Sequence, residues 1–402
     1  MTETMVTTQH RLLGPWQLGV GALLRDLRVG ELVVGLPDGA DHVFRGREPG
    51  TSARIDVRDT AFARRLLCGA DVGLAEGFME GQWDTPDLHA VLELGLANLS
   101  AGWMAGLPVV RRPFQRLRHR LHDNDPKRGS RRNIEYHYDL GNPFYALWLD
   151  ETMTYSAACF ETTEDLAQAQ RAKWERMLQA VGATGGEHLL EIGCGWGGFA
   201  IHAAKTLGCR VTGLTLSTEQ ADYARSRVAE EGLENSVDIR LEDYRDASGR
   251  YDGVVSIEMF EAVGERWWPT FFERVAGLLK AGAAAAIQTI TIDEAAFEHY
   301  RRNPDFIQRY VFPGGMLPSV ERFKRAATAA GLSVGAPYTF GPDYARTLHD
   351  WAERFERVVP KVRALGYDER FVRMWRYYLA YCEVGFESGG IDVMQIRMDG
   401  AR

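Results

Sequence analysis

Cysteine is scarce and scattered. The five, Cys68, Cys159, Cys194, Cys209 and Cys382, form no C-x-x-C and no close Cys/His pair, which argues against a disulfide scaffold and a structural zinc site and points to a reducing compartment. No metal is expected. A charged-then-apolar leader is missing from the opening residues MTETMVTTQHRLLGPW, so export is not supported and a cytoplasmic protein is expected. Positive charge is not in excess: the formal net charge is −8, and the chain as a whole offers nothing to draw it to nucleic acid. No internal repeat or low-complexity tract is present. The sequence also lacks a G-K-[ST] phosphate cradle. Long apolar runs are nearly absent. The one candidate, AVLELGLANLSAGWMAGLPVV at 90–110, carries a single charge at Glu93, yet its Gly, Pro, Asn and Ser suit a buried or interfacial helix better than a spanning one.

What remains is a chain of 402 residues with 45% hydrophobic content, enough for two or three packed domains. Residues 1–110 mix short β-like runs such as GELVVGLP with the helical DTAFARRLL and predict a small α+β domain. Residues 111–133 form a basic linker; its first 22 residues hold nine Arg or Lys against two Asp. That segment is either a solvated tether or a contact for anionic lipid head groups. In the third part, 134–402, strands and helices alternate from about residue 183 as in a parallel sheet. HLLEIG, CRVTGLTLS, VDIRLEDY, YDGVVSIEM and AAAAIQTITI read as strands. GGFAIHAAKTL, STEQADYARSRVAEEGL and WWPTFFERVAGLLKAG read as helices, the second opened by a capping box of Ser217 and Gln220. The predicted fold class is α/β, a Rossmann-like domain preceded by a smaller α+β domain.

The stretch LLEIGCGWGGFA places Gly193, Gly195, Gly197 and Gly198 at a strand-to-helix turn, where bare backbone lets a ligand approach. The G-C-G-W-G-G spacing is not the dinucleotide fingerprint, and no acid closes the second strand to hold an NAD ribose. Glu191 inside the motif suits a cationic ligand instead. E-x-G-C-G-x-G resembles the first motif of S-adenosylmethionine (SAM) dependent methyltransferases. Joined with RRNIEYHYDLGNPFYALWLDETMTYSAACFE, GLTLSTEQ, EDYRD, FEAVG, DFIQRYVFPGGMLPS and YARTLHDW, it resembles the cyclopropane-fatty-acid synthase and mycolic-acid methyltransferase family over residues 131–390. GLAEGFMEGQWDTPDL resembles the region before the catalytic domain of the longer members.

The resemblance implies SAM contacts at Tyr155, Ser156, Gly193, Gly195, Trp196, Gln220 at the ribose, and Glu242 and Asp243 near the adenine. It implies a one-carbon transfer to the double bond of an unsaturated phospholipid acyl chain by way of a carbocation. An alkene is a weak nucleophile, so it must be held against the sulfonium methyl, in a dry site with aromatic faces. WWPTFFERV, FIQRYVFPGGM and RMWRYYLAY offer such rings, although plain core packing explains any one of them. Loss of a proton from the added methyl closes a cyclopropane, whereas loss from the chain leaves a branch.

In the ring-forming relatives the base is understood to be a bound bicarbonate. Of its ligands, Glu261, the backbone of Ile290, and Tyr344 match, but Ala157 stands at the cysteine position and Gln288 at the histidine position. A glutamine amide still donates to an anion, but alanine's side chain cannot. Cys159, two residues on, would lie about 6 to 7 Å along a strand, too far to substitute. Bicarbonate is therefore expected to bind weakly or not at all, with a branched olefin as a major product and cyclopropane as the alternative. The implied partner is unsaturated membrane phospholipid, reached by peripheral association at the inner membrane surface; oligomeric state stays open, a homodimer included. Two other readings stay open: methylation of a small soluble acceptor, and a silent lipid-binding homologue.

Overall fold

The computed structural model describes residues 15–100 and 140–400. They divide into two compact units, residues 15–100 together with Glu369–Tyr377, and residues 140–368 together with residues 378–400. The basic linker 111–133 lies outside the described residues, as does the second half of the apolar stretch at 90–110.

The first unit holds a four-stranded sheet. Strand β1 (Val29–Gly35) pairs antiparallel with β2 (Asp41–Arg45) and parallel with β3 (Glu48–Val57), which carries the short β4 (Trp83–Asp84) on its far edge. The helix Leu88–Ser100 takes up the start of the apolar stretch and buries Val91, Leu92 and Leu94. Its one buried amide, Asn98, is fully used: Oδ1 accepts from the Arg28 and Val29 N–H groups and Nδ2 donates to the Val29 and Leu94 carbonyls. Among the described residues, no helix is long and apolar enough to cross a membrane. The segment Glu369–Tyr377, expected to belong with the catalytic domain, packs in this unit. The cause is Arg373, whose guanidinium lies 4.0 Å from the Phe78 ring centroid and donates to the Trp83 carbonyl at 2.7 Å.

The second unit is an α/β sandwich around one mixed sheet. Five parallel strands, β5 (His188–Ile192), β6 (Arg210–Thr215), β7 (Val237–Leu241), β8 (Tyr251–Ile257) and β9 (Leu279–Ile292), run in the order β9-β8-β5-β6-β7. Beyond β9 lies the antiparallel β12 (Ile391–Asp399), which carries β10 (Ser333–Val334) and β11 (Tyr338–Thr339). Successive strand residues point to opposite faces. Leu190, Ile192, Leu214, Val254 and Ile287 therefore join the core under the helix Trp268–Leu278, while Leu189, Val211, Val255 and Ala286 join the core under the helices Leu166–Val181 and Gly198–Leu207. Burial on both faces explains the nearly unbroken apolar runs of these strands.

Two local expectations are corrected. The helix in WWPTFFERVAGLLKAG stops at Leu278, because Leu279 is extended, pairs with Tyr251 and opens β9. The capping box is half formed: Ser217 accepts from the Gln220 N–H, but the Gln220 side chain turns to Thr215. The chain runs outward through β6 and β7 and returns to β8 on the other side of β5, so the loops after β5 and β8 diverge and leave a crevice at the carboxyl ends of the strands.

Candidate active site

The glycine turn after β5 forms one wall of this crevice. The Gly193 and Cys194 N–H groups donate to the Leu214 carbonyl, which pins the turn to β6. Its glycines do different work. An added Cβ at Gly193 would strike Met259 at 2.8 Å and one at Gly198 would strike Trp174 at 2.8 Å, so these serve close packing. Gly195 has φ +52° and nothing within 4 Å of an added Cβ: it faces open space. Beneath it, Glu191 is buried with Oε2 unpartnered, and burial pushes its carboxyl up to about 8 against the opposing pull of Lys173. Backbone exposed to open space at Gly195 leaves room for an adenosyl ligand against the turn. Gln220 sits at the start of the helix Thr218–Glu230, its Oε1 accepting from Thr215 Oγ1 at 3.0 Å. Glu242 is part-exposed after β7 and donates its N–H to the Thr215 carbonyl. Asp243 is tied to the Arg245 guanidinium, with Nε donating at 2.8 Å.

The opposite wall is aromatic. The Tyr155 ring stands among Tyr145, Trp148 and Trp351, with centroids 5.3 to 5.6 Å away, and its hydroxyl bonds to that of Tyr378 at 2.7 Å. Trp196 rests on Tyr145 and donates Nε1 to Asn142 at 2.6 Å. Ser156 accepts from the Lys173 ammonium at 2.6 Å. The rings of WWPTFFERV are elsewhere: Trp268, Phe271 and Phe272 are buried against Phe260, so they are core.

Between the walls lie two carboxylates. Glu261, on the turn after β8, accepts at Oε1 from the Ile290 N–H (2.6 Å) and from Thr289 Oγ1 (2.9 Å), while its buried Oε2 has no partner. Burial, reinforced by the charge of Glu258, pushes it up to about 8. The second carboxylate, Glu258, was not expected. Its Oε1 accepts from the Ala157 N–H and from Gln288 Nε2, both at 2.8 Å, and its Oε2 accepts from the Tyr344 hydroxyl at 2.6 Å. Burial raises its proton affinity and the nearby Lys173 charge opposes this. Gln288 is fixed in turn by Gln395, which donates to its Oε1 at 2.9 Å.

The expected set is thus brought together with one change of partner. Gln288 and Tyr344 converge on Glu258, while Ile290 alone of the proposed ligands meets Glu261. Ala157 takes part through its backbone, which is indifferent to the loss of a thiol. Cys159 is not on a strand at all; residues 153–160 are irregular, and its sulfur turns to Tyr338 at 3.9 Å. Two residues were missed. Glu258 carried a signal, an acid immediately after a parallel strand, where α/β sites form. Lys173 carried another: Ala169, Lys173 and Met177 recur at helical spacing on the buried face of Leu166–Val181.

The family model described as mycolic acid cyclopropane synthetase matches residues 125–396. The chain is 41% identical over 353 residues to the tuberculostearic acid methyltransferase of Mycobacterium tuberculosis, covering 84% of this chain and 81% of that protein. It is 35% identical over 350 residues to the cyclopropane-fatty-acyl-phospholipid synthase of Escherichia coli, covering 86% and 87%. Among solved structures, the mycolic acid cyclopropane synthase complexed with SAH and CTAB aligns at a TM-score of 0.63 and 32% identity, over 67% of this chain and 98% of that one. With its glycine turn, aromatic wall and buried carboxylates on a Rossmann-like sheet, the chain belongs to the mycolic acid cyclopropane synthetase family of SAM-dependent enzymes.

Proposed function

We propose that the chain transfers a one-carbon unit from SAM to the double bond of an unsaturated acyl chain of membrane phospholipid, through a carbocation, with a methyl-branched chain as a major product. SAM, bound over Gly193 to Gly198, supplies an electrophilic methyl group. The observation that carries the reading is the juxtaposition of an open glycine turn, a wall of packed aromatic rings, and two carboxylates whose hydrogen-bond donors come from the protein itself. Rings stabilise a developing cation by their electron-rich faces, and a dry site keeps water from capturing it. In support, Trp196 belongs to the turn itself, and Gln220 and Glu242 are both tied to Thr215 at the end of the adjacent β6.

The preference for a branch follows from the donors. Of those expected to hold bicarbonate, Gln288 and Tyr344 are engaged by Glu258, which also takes the Ala157 N–H. Cyclopropane formation is the alternative, supported by the relative named cyclopropane-fatty-acyl-phospholipid synthase. Because the acyl substrate resides in a bilayer, peripheral association at the inner membrane surface is part of the same reading, with the basic segment 111–132 meeting anionic head groups. Mass spectrometry of lipids from cells expressing the protein should show a gain of CH2 on unsaturated chains. Unaltered lipids, with the label from methyl-labelled SAM recovered in a soluble hydroxyl, amine or thiol compound, would overturn the proposal.

A further inference from the structure

We propose that Glu258 is the proton acceptor of the reaction, so that a side chain of this protein replaces a bound inorganic anion as the base; the inference rests on the acyl-chain reading above. A carboxylate offers about four lone-pair positions. Three are filled, two on Oε1 by Ala157 N–H and Gln288 and one on Oε2 by Tyr344. One position on Oε2 remains for an incoming proton. Every partner is a donor, the environment an ionised carboxylate needs and a protonated one does not. Lys173, on the helix Leu166–Val181 and donating to Ser156 Oγ, places a positive charge nearby that opposes the effect of burial on Glu258, although burial lowers its own hold on a proton to about 7.

The backbone supports a purposeful placement. Glu258 has φ +49°, a conformation that side chains rarely adopt, while its N–H still donates to the Gln288 carbonyl and extends the β8–β9 ladder. Strain of this kind clusters at functional sites. Glu258 also retains accessible surface, as do Tyr155, Gly195 and Ile290. The neighbours are poorer bases. Glu261 shares its Oε1 between two donors, and its donors leave Oε2 buried without a partner, where burial and the charge of Glu258 favour its protonated form. Tyr344 donates its own proton to Glu258.

The step balances as follows. The alkene π pair forms the new C–C bond to the methyl carbon, and the sulfonium sulfur keeps the pair of the broken S–C bond. A C–H bond next to the cationic carbon then breaks. Its electron pair neutralises the cation, and its proton goes to Oε2 of Glu258.

The test uses the full chain with SAM and vesicles of monounsaturated phospholipids, in buffer freed of carbon dioxide or supplied with bicarbonate. The wild-type rate should change by less than about twofold, since the base is built in. Glu258→Gly suits the positive φ and opens the anion position; its rate should fall by about a hundredfold or more and recover with added bicarbonate or formate. Glu258→Gln fills the position without a base and should be inactive with either anion. Calorimetry should show that both variants still bind SAM. A wild-type rate that collapses without bicarbonate overturns the assignment, as does a Glu258→Gly enzyme that is fully active without an anion, or that binds SAM and stays inactive with one. Failure of the acyl-chain reading shows differently: the wild type then leaves vesicle lipid unaltered in every buffer, and the assignment falls with it.

Discussion

Gly195→Val should lose about a hundredfold or more in SAM affinity, equivalent to roughly 3 kcal/mol, in a protein that remains folded. The added Cβ meets no protein atom within 4 Å. It projects into the space above the turn that the ligand needs. A β-branched residue at φ +52° is also strained. That strain costs on the order of 1–2 kcal/mol, and Gly195→Ala carries much of it with far less bulk, so the pair separates strain from occlusion. Calorimetric titration with SAM, with thermal melts as the control for folding, reads the outcome. Undiminished affinity in the folded valine variant would remove the turn from the binding site.

Tyr344→Phe should lower turnover by about ten- to a hundredfold, the cost of one hydrogen bond to a charged group, while SAM affinity stays within about twofold. The ring is kept in place by its own packing: it stacks on Phe386 at 4.4 Å and meets Trp351 edge-on at 6.3 Å. Phenylalanine preserves both contacts and removes only the donor to Glu258. Burial and the charge of Glu258 hold the phenol well above its usual range, so its role is to donate and not to act as base. Single-turnover kinetics beside equilibrium SAM binding would separate the two effects. A large loss of SAM affinity, or no loss of rate, would contradict the role given to this hydroxyl.

The order of strands and helices in the second unit was legible because the central strands β5 and β8 are buried on both faces and several helices begin at a side-chain cap, such as Asp165 or Ser217. The glycine motif was legible as a strand-to-helix turn. Which glycine faces open space was not, because that depends on what stands opposite Gly193, Gly195 and Gly198 in three dimensions. The polar centre was half legible. Side-chain matching located Gln288, Ile290, Tyr344 and Glu261, but it read Ala157 as a lost ligand, whereas the structure uses its N–H. Glu258 escaped because its role depends on a positive φ at the strand end, which SIEMFEAVG does not announce. Lys173 was not singled out either, although its place at helical spacing between Ala169 and Met177 puts it on the buried face of Leu166–Val181. The placement of Glu369–Tyr377 in the first unit had no local signal either; it depends on Arg373 reaching Phe78 and Trp83, nearly three hundred residues away in sequence.

The central claim is that the cation formed on the acyl chain is resolved by a base of the protein itself, leaving a methyl branch. The most direct measurement supplies SAM carrying a trideuterated methyl group, in buffer freed of bicarbonate, and counts deuterium in the lipid product by mass spectrometry with NMR of the isolated acyl chain. Proton loss from the chain keeps all three deuterium atoms, whereas ring closure removes one from the added carbon. The account predicts a branched chain bearing three. A cyclopropane bearing two, formed only when bicarbonate is restored, would contradict it.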